Sequence, residues 1–281
     1  MKSMLALTAL AALAFGAFAA QAAPGVAHAA TEVELRHAAA RVVVIPENRP
    51  DVSLVVSYGS STLPKIMVHE EGNKLIADGK LDHHSMSCRD NSINVAGFGQ
   101  IDAAGLPLVT IRVPLDAKVS FGGASIGQVG ASKTLEFDQG GCGNWKIGDV
   151  SGKGEINIGG SGSVEMANLG EAEVNIGGSG SFHAKGVGRL EGNIGGHGDI
   201  DADTITGDSE INIGGSGNVN LNGGTSPKME INVAGSGHVN FGGEVHDLEV
   251  NIVGSGDVHV KKVTGNVSKS VMGSGNIVIG Q

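Results

Sequence analysis

Six glutamates recur at a nearly constant spacing in the second half of the sequence, each two residues before an asparagine. They are Glu155, Glu173, Glu191, Glu210, Glu230 and Glu249. The intervals of 18 to 20 residues would place the carboxylates side by side if the chain coiled once per interval. Carboxylate and carbonyl oxygens are the ligands that Ca²⁺ prefers, so the pattern raises the hypothesis of a cation-binding strip. The alternative is a solvated face whose side chains splay apart to reduce their repulsion, and the sequence predicts neither a metal centre nor a cofactor.

A second group could support nucleophilic catalysis. Glu165, His183 and Asp201 occupy equivalent outward positions in three successive repeats, and Ser181 lies two residues before His183. A serine, a histidine and carboxylates within reach of one another are the usual parts of an activated nucleophile. The turns between repeats are too short to build a cleft or to supply oxyanion donors. We therefore expect no enzymatic activity, and keep a carbohydrate-active enzyme on the same scaffold as the alternative.

Cys88 and Cys142 are the only cysteines of the chain. In an oxidising compartment a single pair of this kind most simply forms a disulfide. A metal site built from His83, His84 and Cys88 is the competing interpretation, but no second ligand cluster has the spacing of a structural site. The sequence predicts a Cys88–Cys142 disulfide.

The glutamates and the possible catalytic residues belong to repeats of a sequence motif, Ile-Asn-Ile-Gly-Gly-Ser-Gly. Its seventh copy has Ser270 in place of the asparagine. A fixed period in this range is typical of a solenoid, in which each repeat forms one coil and stacks on its neighbours. Asparagines in register can hydrogen bond along the stack, so we predict a structural ladder formed by Asn157, Asn175, Asn193, Asn212, Asn232 and Asn251.

Within each repeat the residues alternate between apolar and polar. Isoleucine or valine flanks most of the asparagines, and the glutamate stands on the polar side. Alternation with a period of two predicts a strand with its aliphatic side chains inward. Gly-Ser-Gly then turns the chain, because glycine adopts positive φ at little cost, and a second strand follows. The fold class predicted is all-β: a single-stranded β-helix with about 18–20 residues per coil.

Upstream of these repeats the pattern is weaker. Ile93–Ile101 fits the same template, so we expect a further coil around Asn94. Residues 31–90 read as strands separated by turns, and we expect them to begin and cap the solenoid, with β-helix repeats over residues 91–281. No cap is evident after the last repeat, which suggests a homo-oligomer formed through the C-terminal end.

The first residues predict export. An apolar run from Met4 to Ala20 precedes Ala20-Gln21-Ala22, which has the form of a signal-peptidase site, so we assign residues 1–22 to a signal peptide. No later segment is long and apolar enough to span a membrane. The formal net charge of −10 argues against nucleic acid and anionic membranes as partners.

The repeats resemble a known family. Residues 175–180, Asn-Ile-Gly-Gly-Ser-Gly, and residues 251–258, Asn-Ile-Val-Gly-Ser-Gly-Asp-Val, are similar to the family called putative auto-transporter adhesin, head GIN domain. The resemblance covers roughly Arg41 to Ile279. It implies a right-handed β-helix and an exported, non-catalytic, adhesin-like or cell-envelope protein in the periplasm or on the outer surface of a bacterium. The partner expected is a glycan or a cell-surface protein, and a periplasmic cation-binding module is the further alternative.

Overall fold

A computed structural model describes residues 25–280, so the predicted signal peptide lies outside the described residues. The described residues form 23 β-strands. The strands are β1 (Val26–His28), β2 (Glu32–Glu47), β3 (Val52–Ser57), β4 (Met67–Glu71), β5 (Lys74–Asp78), β6 (Met86–Arg89), β7 (Ser92–Val95), β8 (Gly99–Asp102), β9 (Leu108–Pro114), β10 (Asp116–Val129), β11 (Thr134–Gln139), β12 (Asn144–Ile147), β13 (Val150–Ile158), β14 (Ser163–Ile176), β15 (Ser181–Ile194), β16 (Asp199–Ile205), β17 (Ser209–Ile213), β18 (Asn218–Leu221), β19 (Thr225–Gly235), β20 (His238–Gly254), β21 (Asp257–Val263), β22 (Val267–Gly273) and β23 (Asn276–Ile279).

Most of the strands stack in parallel as a β-solenoid of about 9 turns, which confirms the predicted fold class, while β1, β3 and β4 pair antiparallel to their neighbours. Equivalent residues of successive repeats pair directly: Asn157 is opposite Asn175, and Asn175 is opposite Asn193. The same register continues through Asn212, Asn232 and Asn251 to Ser270. A one-residue slip would turn every aliphatic side chain to the solvent, so the alternation of residues specifies this register.

The core is a continuous aliphatic column. Ile156, Val174, Ile211, Ile231 and Val250 are all fully buried. Aromatic rings fill the early coils, where Trp145 packs against Phe121 with ring centroids 4.1 Å apart and against Phe137 at 5.1 Å. Burial of these columns supplies the main stabilisation, at about 25 cal/mol for each Å² of apolar surface removed from water.

The Gly-Ser-Gly turns stack in register as well. Ser179 N donates to Gly160 O at 3.0 Å, and His197 N donates to Gly178 O at 3.0 Å. The prediction that the glycines serve positive φ is wrong for most of these turns, since only Gly254 and Gly273 among them have φ in that region. A Cβ on Gly178 would instead lie 2.2 Å from Gly160 O. Close approach of successive turns is the reason that these positions exclude a side chain.

Residues 86–102 depart from the prediction. Strands β6, β7 and β8 form a separate antiparallel sheet, so the coil predicted around Asn94 is wrong. Its residues pair with their own neighbours because short turns join three consecutive strands, and the resulting sheet buries Ile93 and Val95 in a small second core. The parallel stack nevertheless includes segments on either side of it, since β2 pairs with β5, β9 and β10. The boundary at residue 90 stays a prediction.

The disulfide predicted between Cys88 and Cys142 is present, with the two Cα atoms 5.8 Å apart. It joins β6 to the turn 141–143, which lies directly below the Gly160-Ser161-Gly162 turn, since Ser161 N donates to Gly141 O. The disulfide joins residues 54 positions apart in the sequence. A cross-link of this length stabilises the folded state by about 4 kcal/mol, because it lowers the conformational entropy of the unfolded chain. It ties the small sheet to the solenoid.

Candidate functional site on the polar faces of the solenoid

The predicted asparagines form an unbroken hydrogen-bonded ladder. Each side-chain Nδ2 donates to Oδ1 of the asparagine one coil earlier, at 2.9 to 3.1 Å. The first one, Asn157, donates to Asp138 Oδ1 at 2.8 Å. Because each amide is half-buried and already paired, the ladder supports the stack and offers few free groups to a ligand.

The six glutamates lie beside this ladder, and together they form the surface that we name the Asn-Glu face. In all six coils, Glu Oε1 accepts a long hydrogen bond of 3.2 to 3.5 Å from the asparagine of its own coil. Cations interrupt the column: Lys153 Nζ contacts Glu173 Oε2 at 2.6 Å, and Lys228 contacts Glu230 at 3.5 Å. The hydrogen bond from Lys153 lowers the pKa of Glu173, although burial opposes it.

The cation strip gains no support from this geometry. Within residues 25–280 no group of three or more His, Cys, Asp or Glu side chains is placed to hold a metal ion. Stacked glutamates contact asparagine and lysine rather than converging on one point. The column is a charged edge of the ladder, and the choice between a cation strip and a solvated face stays a prediction.

The following strand of each coil presents a different surface, which we name the Asp-Asn-His face. Two outward columns run along it in register. One column holds Glu165, His183, Asp201, Asn220, Asn240 and His259, and the other holds Ser163, Ser181, Asp199, Asn218, His238 and Asp257. These side chains are exposed or half-buried, and they offer donors and acceptors of several kinds on a flat, rigid sheet.

Three carboxylates are fixed at the centre of this face. Asn218, Asn220 and Asn222 each donate from Nδ2 to Oδ1 of an aspartate one coil earlier, at 2.8, 3.0 and 3.2 Å. The acceptors are Asp199, Asp201 and Asp203, which occupy alternate positions of strand β16. Alternate residues of a strand lie about 6.8 Å apart, so the carboxylates form an evenly spaced row with one oxygen of each held in place.

The suspected catalytic residues lie on this face but do not form a catalytic group. His183 is in register between Glu165 and Asp201, yet its ion pair runs from Nε2 to Asp203 Oδ2 at 3.8 Å. Asp201 is bonded to Asn220 instead. The surface is a flat sheet, and the distances do not bring a serine, a histidine and a carboxylate into a relay.

One recess, which sequence reasoning missed, adjoins the same face. It has a volume of about 340 Å³ and lies where the β6–β7 turn approaches the solenoid. Asn144 Nδ2 donates to Asp90 O at 2.9 Å and, with the disulfide, holds the two walls together. The volume is within the range of small-molecule sites, roughly 300–1,000 Å³. Its lining mixes the polar residues Asp90, Asn91, Asn144, Lys146, Ser163 and Glu165 with Ile126, Gly127 and Trp145. The turn and the strand are distant in sequence, so only the tertiary structure brings them together.

A solved structure shares this architecture. The chain is similar to a putative adhesin from Parabacteroides distasonis, with 14% identity, a TM-score of 0.55 and coverage of 90% of this chain and 94% of that one. A putative lipid binding protein from the same species (18% identity, TM-score 0.45, coverage 90% and 94%) and a putative adhesin from Bacteroides fragilis (14%, 0.38, 90% and 93%) are more distant. The first similarity shows the fold alone. No curated protein matches the sequence.

The repeats themselves match a family model. Residues 187–280 match the model described as "Putative auto-transporter adhesin, head GIN domain". None of the described residues forms a helix long and apolar enough to cross a membrane. The resemblance predicted from the Asn-Ile-Gly-Gly-Ser-Gly repeats is thus confirmed over residues 187–280, where the sequence matches the model of the head GIN domain family, and residues 41–186 lie outside the match.

Proposed function

We propose that this protein is an exported, non-catalytic, adhesin-like protein that binds a hydroxyl-rich glycan along its Asp-Asn-His face. The observation that carries the proposal is the row of Asp199, Asp201 and Asp203, each fixed by an asparagine bond. Carboxylates held in advance lose little conformational freedom on binding, which favours affinity. Sugar hydroxyls can donate to the second carboxylate oxygens of Asp199 and Asp201, whereas Asp203 Oδ2 faces His183 Nε2 at 3.8 Å.

The two faces differ in how much they can offer a partner. On the Asn-Glu face the amides bond to one another along the stack, whereas serines and histidines stand among the acids on the Asp-Asn-His face. The recess at Asp90 and Asn144 continues the second face and is large enough for a terminal sugar unit. The family and fold similarities to adhesins support a binding role.

The test is glycan-array binding of the purified protein. We expect Asp199→Ala combined with Asp201→Ala to weaken binding about a hundredfold or more, because two charge-assisted hydrogen bonds of about 1.5–3 kcal/mol each would be lost. Glu191→Ala combined with Glu210→Ala removes the same charge from the Asn-Glu face and should leave binding unchanged. Melting temperatures of both variants verify that they fold.

Two results would overturn the proposal. One is the absence of binding to every glycan on the array, together with normal surface attachment of a strain that lacks the gene. The other is an equal loss of binding in the two double variants, which would indicate attraction by net charge rather than by this face.

A further inference from the structure

The two ends of the solenoid carry strands that pair on one side only. At the C-terminal end, β22 pairs with β20 and β23 pairs with β21. At the N-terminal end, β4 pairs with β5 and β1 pairs with β3. Among the described residues these four strands have no partner on their outer edge. Unpaired edges are templates for the addition of another strand.

The last layer carries a charge where every earlier repeat is apolar. Lys269 is in register with Val250, in the column that holds Ile156, Val174, Gly192, Ile211 and Ile231. Val267 and Val271 flank it and are 43% and 44% exposed. An aliphatic layer stacked on this end would bury the ammonium group without a partner, which is costly. The end therefore favours a layer that supplies an acid at the matching position.

The N-terminal end supplies such an acid. In β4, Glu70 is opposite Leu75 and Val68 is opposite Ala77, and both partners belong to the main core. Directly opposed residues of an antiparallel pair point to the same side of the sheet, so Glu70 and Val68 face inward. Consistent with this, Glu70 Oε1 contacts Nδ1 of His28, a residue of β1, at 2.6 Å at the N-terminal end of the solenoid.

The strand directions at the two ends are compatible. On one face of the solenoid, parallel strands stack from β5 at the N-terminal end to β22 at the C-terminal end. The strand β4, which lies outside β5, runs antiparallel to it. When a second copy stacks head to tail, β22 of one copy meets β4 of the next as an antiparallel pair. Placing Lys269 opposite Glu70 aligns Val271 with Val68, Ser270 with His69 and Met272 with Met67. Met67 and Met272 are 59% and 72% exposed in the single chain.

We propose that copies of this protein associate head to tail, with β22 of one copy pairing antiparallel to β4 of the next and Lys269 opposite Glu70. The contact is heterologous, so it can continue into linear assemblies. Tail-to-tail pairing of two β22 strands in the register centred on Lys269 is disfavoured because it would bring the two Lys269 side chains against each other. Like charges directly opposite are destabilising, and opposite charges favour the alternative pairing.

Charge reversal tests the proposal. In sedimentation experiments on the chain without residues 1–22, we expect the mass to rise with concentration. Lys269→Glu alone and Glu70→Lys alone should each weaken association about tenfold or more, and the double variant should restore it. Lys261→Glu, an exposed position one coil earlier, makes the same charge change outside the contact and should associate like the unchanged chain. A chain that is monomeric at all concentrations, or single variants without effect, would refute the proposal.

A cysteine pair tests the register. His69→Cys and Ser270→Cys are placed in separate chains, which are then mixed under oxidising conditions. Head-to-tail pairing predicts disulfide-linked heterodimers, whereas predominant linkage of Ser270→Cys chains to one another would show tail-to-tail pairing and overturn the proposal. Neither test depends on a glycan, so the proposed function and the head-to-tail contact can fail independently.

Discussion

At the scale of the residue, an asparagine inside the amide ladder has a hydrogen-bond partner in the coil on each side. Asn193 donates to Asn175 at 2.9 Å and accepts from Asn212 at 3.0 Å. Its removal would leave a half-buried donor and a half-buried acceptor unpaired. Unpaired groups of this kind cost more than the net gain of one hydrogen bond.

We therefore expect Asn193→Ala to lower the free energy of unfolding by about 1–3 kcal/mol, measured by urea denaturation. Glu191→Ala is the matched control, because its exposed side chain holds only a long bond of 3.4 Å, and it should change stability by about 0.5 kcal/mol or less. Equal effects of the two substitutions would show that the ladder is not a stabilising element.

The buried carboxylate of Asp78 predicts a pH dependence. Burial raises its pKa, but hydrogen bonds from the side chain and backbone of Lys80 and the charges of Lys80 and His37 outweigh burial and lower it to about 2, from 3.8. A carboxyl whose folded-state pKa is depressed stabilises the protein above the unfolded-state pKa, and this stabilisation is lost as pH falls toward the folded-state value.

Asp78→Asn should therefore reduce stability at neutral pH by an amount on the order of 2 kcal/mol. The difference from the unchanged protein should shrink between about pH 4 and pH 2. Denaturant unfolding at several pH values measures it, and Asp102→Asn, at an exposed position, serves as the control. A difference that is constant with pH would contradict the role given to Asp78.

At the scale of the element, the turns set how closely successive coils approach. A Cβ on Gly196 would lie 2.3 Å from Gly178 O, whereas a Cβ on the adjacent Gly195 would meet nothing within 4 Å. The two glycines thus lie in one turn but under different constraints.

Gly196→Ala should lower the melting temperature, since a steric conflict with backbone costs about 1–3 kcal/mol. Gly195→Ala should be neutral or slightly stabilising, because alanine reduces the entropy of the unfolded chain. The melting temperatures of the two variants are measured by thermal unfolding, with circular dichroism as the signal. Similar melting temperatures for both variants would show that the turn can relax away from the contact.

At the scale of the whole molecule, stacking makes a surface from residues that each coil contributes once. Asp199, Asp201 and Asp203 lie on a single strand, but the asparagines that fix them come from the next coil. Within residues 25–280, the strands at both ends of the stack keep one unpaired edge, and Lys269 and Glu70 there differ from the columns around them. In a repeat architecture each coil contacts only the adjacent coils. The first and last coils each lack one neighbour, so association between copies is favoured there.

The sequence by itself determined the stack. Its period set the length of a coil, and its alternation set which side of each strand is buried, because the pattern is local and repeats in register. Only the tertiary structure decided the rest. It placed Asn94 in a separate sheet rather than a coil, and it paired His183 with Asp203 rather than Asp201. It also opened the recess between Asp90 and Asn144. These features depend on contacts between segments distant along the chain, which a local pattern of residues does not specify.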